Sequence, residues 1–148
     1  MGIRKIVTNK ALLQIPSDRC ADNAERWPDV VADLFDTAKH YSENGRVGCA
    51  GLAANQIGEM LRCFVMNQGR HFIAVVDPEI ISRGGGIKGA FEGCLSRPDA
   101  RPIRVRRHKR IKVRYYDPMT ADVITRKFSG FDARVFQHEC DHLEGVLI

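Results

Sequence analysis

Gln137-His138-Glu139-Cys140-Asp141-His142-Leu143-Glu144-Gly145 lies near the end of a chain of 148 residues, and reading it decides what the rest of the fold must do. On a helix, His138 and His142 sit one turn apart on one face, so both imidazoles reach a single metal ion. Glu139 lies at the edge of that face, in reach of a metal-bound water that it can deprotonate. Two imidazoles do not complete a site. Six residues follow His142, none of them His or Cys, and Glu144 points off the ligand face. The fold must therefore carry a third ligand back to this helix from upstream. That excludes the zinc endopeptidase arrangement, whose third ligand lies downstream of HExxH.

The upstream candidates are cysteines. Cys94 stands in Glu92-Gly93-Cys94-Leu95-Ser96, a turn-rich segment between Gly89 and Pro98, where a thiolate can be offered to a metal. Taken alone it reads more readily as a packed small hydrophobe. Cys140 points about 200° away from His138 on the helix, off the ligand face, and Cys63 sits in an apolar strand and reads as core. A third segment, Gly48-Cys49-Ala50-Gly51-Leu52-Ala53-Ala54-Asn55-Gln56, is dense in small residues that permit close approach of backbone or ligand. By itself it is a tightly packed turn leading into a helix.

The composition is that of an ordinary globular domain, 44% hydrophobic and 28% charged, and the length suits one domain spanning residues 1–148. Five cysteines at irregular spacings, behind a start with no long apolar core, point to a reducing compartment without a disulfide framework. No window approaches a membrane span. The formal charge of +5 is unevenly placed. Arg101, Arg104, Arg106, Arg107, Lys109, Arg110, Lys112 and Arg114 form a run without an acid. Ile103, Val105, Ile111 and Val113 alternate with the charges, as in half-buried strands with a solvated basic face; a nucleic-acid patch is the other reading.

Along the chain, Trp27, Val30, Val31, Leu34, Phe35, Ala38 and Tyr41 follow helical spacing, with Asn44-Gly45 as a stop. Residues 61–66 and 71–76 read as strands around a turn at Asn67-Gln68-Gly69-Arg70. Asp77-Pro78 ends the second of them, and Gly84-Gly85-Gly86 reads as a flexible break. Strands follow around 103–105 and 111–116, then a turn at 117–121 and a strand to Lys127. A Ser129-x-x-Asp132 capping box opens the last helix. The fold class is α+β, with antiparallel sheets surrounding a C-terminal helix that carries the HExxH ligands.

GLAANQ, EGCLS and QHECDH, in this order over residues 48–145, resemble the three signature motifs of the peptide deformylases. The resemblance implies a metal held by Cys94, His138 and His142, with water in the fourth position. It implies Glu139 as general base and acid, and Gln56 with the backbone N–H of Leu95 as oxyanion donors. The reaction implied is hydrolysis of the formyl group from N-formyl-methionyl nascent peptides. Fe(II) is the implied cellular metal, with Zn(II) or Ni(II) as substitutes in purified protein. Ala50, Gly51 and Gly93 would run beside the substrate backbone, and Phe131 and Val135 would line the methionine slot. Arg134 would turn its head outward from the rim. Cys49 and Asn55 depart from the usual first motif, and Arg97 stands where an apolar residue is common, which points to a preference for acidic side chains after the methionine. Many bacterial relatives continue past the HExxH helix with a ribosome-docking helix, so the resemblance implies either a naturally short form of the kind found in phages or a chain trimmed at Ile148. The implied setting is the cytoplasm of a bacterium or of a phage-infected host. The partners implied are nascent peptides and a transient ribosome contact through the basic surface, with no membrane and no DNA. The alternative is a non-catalytic relative that keeps the metal as a staple and serves as a ribosome- or RNA-binding module.

Overall fold

The alternation of side chains along Cys63-Phe64-Val65-Met66 explains how the molecule is layered. Cys63 and Val65 belong to one buried cluster and Phe64 and Met66 to another, as the period of two in a strand requires. The computed structural model describes residues 2–44, 49–97 and 101–148, and within them one sheet separates these two clusters. Its strands β1 (Gly51–Ala53), β2 (Cys63–Asn67), β3 (Phe72–Glu92), β4 (Ile103–Asp117) and β5 (Asp122–Ser129) lie in chain order, and every pair is antiparallel.

A single helical turn, α1 (Lys10–Leu13), precedes the long helix α2 (Trp27–Asn44), which lays Val30, Val31, Leu34 and Ala38 on the first cluster. These are the residues whose spacing marks a helix in the sequence; Gly45, the expected stop, lies outside the described residues. Helix α3 (Gly130–Leu143) covers the opposite face with Ala133, Val135, Phe136, Cys140 and Leu143. Phe136 is fully buried and its ring meets Phe64 edge-on at 5.1 Å and Phe128 at 5.4 Å. Because α3 also carries both histidines, this aromatic contact seats them. Phe136→Ala is expected to cost about 3–5 kcal/mol of stability, read as a lower urea midpoint.

Several expectations are corrected. β3 does not end at Asp77-Pro78, nor does Gly84-Gly85-Gly86 break it; it runs to Glu92 with register shifts at Val76/Glu79, Ile80/Ser82 and Gly84/Ile87. Asp77 at φ 49° and Gly85 and Gly86 at φ 73° and 77° supply the local twist of these bulges. The reason is β4, which is one continuous strand rather than two and templates β3 over its whole length. At α3, Ser129 occupies the N-cap but its side chain caps nothing, so the expected capping box does not form. GLAANQ forms β1 and a 3-10 turn over Ala54–Ile57 rather than the start of an α-helix.

Candidate metal centre

The end of β3 lies over α3 and delivers the segment that follows Glu92 to the histidine face of the helix. There the Cys94 Sγ and the His138 and His142 imidazole nitrogens lie within 4.8 Å of one another. Cys94 Sγ is 3.4 Å from His142 Nε2, which is 3.2 Å from His138 Nε2. Both imidazoles are buried and Cys94 is half-buried. Cys140 points to the core side of α3, and Cys63 is fully buried in β2.

This donor set fits a divalent ion. Two imidazole nitrogens and a thiol converge edge to edge, with softness suited to Fe(II), Zn(II) or Ni(II). Burial disfavours a proton on either ring. The Cys94 and Glu92 contacts reverse this at His138, which is pushed up to about 10, while burial and the neighbouring His138 push His142 down to about 3.

His138 Nδ1 donates to Glu92 Oε1 at 2.8 Å, which leaves Nε2 to face His142 and Cys94. Arg107 grips the same carboxylate with both Nε and Nη2 at 2.9 Å, and its Nη1 also donates to Asp141 on α3. Arg134 Nη1 adds a third grip on Glu92 at 2.6 Å and reaches Val105 O at 3.0 Å, with Nη2 on Lys88 O at 2.6 Å. Burial works against the Glu92 charge, but His138 and the two guanidinium groups outweigh it and hold this carboxyl well below its ordinary range. The sequence signals for these roles were partial. Arg107 shares strand parity with Ile103, Val105, Ile111 and Val113, so the alternation itself places it inward; it is 7% exposed and not part of a solvated face. Arg134 also departs from expectation: its head turns inward, because three acceptors of β3 and β4 await it there. The role of Glu92 had no local signal.

Glu139 is 3% exposed, and its Oε2 has no hydrogen-bond partner among the described residues. Burial pushes its carboxyl up to about 7, against the opposing pull of His138 and Arg107. A carboxyl near neutrality beside a metal site is poised to take and return a proton. It rests against β1: a Cβ added at Gly51 would lie 2.7 Å from Glu139 Oε1. Gly51→Ala is therefore expected to displace the carboxylate and lower kcat on the order of 100-fold, with metal content unchanged; equal kcat in both proteins would contradict the contact.

Gln56 is buried and fixed at both ends of its amide. Its Oε1 accepts from Ala53 N at 3.0 Å, and its Nε2 donates to Ser96 Oγ at 3.1 Å and faces Cys94 Sγ at 3.5 Å. Leu95 packs half-buried against the first cluster. Asn55 is a buried brace whose Nδ2 donates to His142 O at 2.8 Å and so ties the first motif to the helix. Ala50 is half-buried against the second cluster, while Gly93 is exposed with open space where a Cβ would stand. Val135 is buried in the second cluster and Phe131, at the start of α3, is 67% exposed. Arg97 Nη1 donates to Ile148 O at 3.1 Å, which turns it toward the final residue.

A family model described as polypeptide deformylase matches residues 3–148. The chain belongs to the polypeptide deformylase family. A peptide deformylase of Thermotoga neapolitana is 42% identical over 118 residues, covering 80% of this chain and 67% of that protein. The crystal structure of peptide deformylase from Thermotoga maritima superposes with a TM-score of 0.85 at 35% identity, covering 99% of this chain and 95% of that one. An actinonin-bound class I type b peptide deformylase from Acinetobacter baumannii gives 0.82 at 26% identity, covering 99% and 96%. Deformylases are metal-dependent hydrolases, and the Cys94–His138–His142 cluster is the candidate metal site of this deformylase.

Proposed function

We propose that this chain is a metal-dependent hydrolase that removes the formyl group from N-formyl-methionyl peptides, releasing formate. The observation that carries the reading is the meeting of Cys94, His138 and His142 beside a buried Glu139 whose Oε2 has no partner among the described residues. The ligands are Cys94, His138 and His142, and Fe(II) is the cellular metal. A divalent ion held there supplies Lewis acidity and lowers the pKa of water from about 16 to about 7.

Glu139 takes a proton from the attacking water at its carboxylate. The water oxygen joins the formyl carbon, and Glu139 returns the proton to the methionine nitrogen as the C–N bond breaks. Gln56 Nε2, held by Ser96 and by its own Oε1 on Ala53, donates to the oxygen that gains charge, together with the N–H of Leu95. Loss of one such donor costs roughly 3 kcal/mol of barrier in comparable sites. Glu92, clamped by Arg107 and Arg134, keeps His138 in the tautomer that presents Nε2.

Among the described residues β1 is the outermost strand of the sheet, with β2 on one side only. Its Ala50–Gly51 end can therefore take the substrate backbone as an added strand, with Gly93 opposite and without a side chain to obstruct it. Val135 from below and Phe131 from the rim flank the methionine side chain. Actinonin in the Acinetobacter baumannii enzyme supports a peptide-shaped cleft here. The substrates in the cell are nascent chains, the ribosome contact runs through the basic surface, and the compartment is the cytoplasm; among the described residues no helix is long and apolar enough to cross a membrane. The test is formyl-Met-Ala-Ser incubated with anaerobically Fe(II)-loaded protein. Formate and free Met-Ala-Ser are expected in equal amounts, and release of neither would defeat the reading.

A further inference from the structure

The register of the long β3–β4 hairpin sorts its charges onto one face. Phe91, Gly89 and Gly84 stand opposite Arg104, Arg106 and Arg110, and Lys112 stands opposite Ser82 on one side and Lys127 on the other. Strand alternation puts these residues on the sheet face that points away from α3, while Arg107, Ile111 and Val113 point inward and are buried. The outward face thus carries Arg104, Arg106, Arg110, Lys112 and Lys127 in a continuous field, all of them exposed.

Three observations distinguish this field from an ordinary solvated strand surface. Among the described residues none of these five cations has an ion pair, whereas Arg114, at the end of the row, is paired with Glu79 at 2.9 Å. Phe91 is 70% exposed beside Arg104, so an aromatic ring faces solvent within the basic field. Two guanidinium groups lie over bare backbone: a Cβ at Gly89 would meet Arg104 Nη2 at 2.7 Å, and one at Gly85 would meet Arg110 Nε at 2.9 Å. Each guanidinium is thereby held down on the sheet, with its outer side open to stacking and to anions.

We propose that this face binds single-stranded RNA. Alternate residues of a strand advance by about 6.6–6.8 Å, which sets a row of cations at regular intervals along a linear polyanion. A rigid basic track with an aromatic platform is what sequence-tolerant single-strand binding requires. A duplex keeps its bases stacked on one another and out of reach of Phe91. The inference gives a surface to the ribosome contact of the preceding reading. Binding is measured without turnover, and the metal centre lies on the other side of the sheet, so failure of either leaves the other standing.

The test is fluorescence anisotropy of a labelled oligouridylate of about twelve nucleotides, titrated with the metal-loaded full chain at several salt concentrations. The logarithm of the affinity should fall linearly with that of salt, with a slope of about −0.7 per phosphate neutralised. Arg104→Gln with Arg106→Gln should weaken binding and flatten the slope by roughly 1–1.5. Phe91→Ala should weaken binding on the order of tenfold and leave the slope alone. Lys112→Gln with Lys127→Gln is a second charge variant, and formate release from a free tripeptide should be the same in all of them. Absence of binding at low salt overturns the proposal. So does affinity in the Phe91 and arginine variants equal to that of the parent, or competition by duplex RNA, polyglutamate or anionic phosphatidylserine vesicles as effective as that of the single strand.

Discussion

Glu139→Ala is expected to keep its metal and lose turnover by about 10³–10⁴-fold, because in the proposed reaction one carboxylate serves both proton transfers. Glu139 stands outside the Cys94–His138–His142 cluster. Its Oε2 is buried without a partner among the described residues, and its Oε1 side rests against Gly51. Such a group stabilises nothing in the folded state, and its burial is costly whenever it is charged. The melting temperature of Glu139→Ala is therefore expected at or above that of the parent, the pattern of a residue retained for activity at the expense of stability. Metal analysis, kcat and thermal melting on one preparation check all three. Loss of metal together with activity would make Glu139 a structural or ligating residue.

Cys94→Ala is expected to remove nearly all bound metal, and turnover with it. The remaining imidazoles are both neutral donors, so the substitution takes away the one anionic ligand as well as a third of the set. His138→Ala and His142→Ala should do the same. Cys140→Ser should not, since that side chain faces the core on the other side of α3. Titration of the apo proteins with Co(II), followed by its thiolate charge-transfer absorption, reads the site without turnover. An unchanged band in Cys94→Ala would remove Cys94 from the ligand set.

Local signals made much of this legible in the sequence. The four-residue spacing of His138 and His142 fixes their shared helical face, and the need for a third ligand points back to the EGCLS segment. The helical spacing from Trp27 to Tyr41 matches α2, and the strand read over 61–66 matches β2. What the sequence hides is non-local. Asp77-Pro78 and the triple glycine look like chain breaks because their backbone preferences are read one strand at a time; β4, pairing with β3 as far as Glu92, turns them into bulges. Ser129 looks like a capping residue, but with Gly130 at φ 59° the entry to α3 is made without its hydroxyl. Arg134 reads as a rim residue because its acceptors, Glu92, Val105 and Lys88, come from two other strands. Arg107 could have been placed from parity alone, had the charge of the run not obscured the alternation.

The clamp on Glu92 shows why these non-local residues matter to the chemistry. Arg107 is nearly fully buried, and its charge is offset by Glu92 and Asp141. Removing one partner of such a pair leaves an unpaired buried charge, a loss of about 3–5 kcal/mol. The arrangement holds the end of β3 against α3, and with it the Cys94 loop against the two histidines.

The central claim is that one divalent ion at Cys94, His138 and His142 enables formyl hydrolysis. It is tested most directly by titrating the apo protein with Fe(II) under anaerobic conditions while following formate release from formyl-Met-Ala-Ser. The account predicts that release rises in proportion to added metal, levels off at one ion per chain and is absent throughout in Cys94→Ala. Formate release that is independent of metal, or equal in Cys94→Ala and the parent, would contradict it.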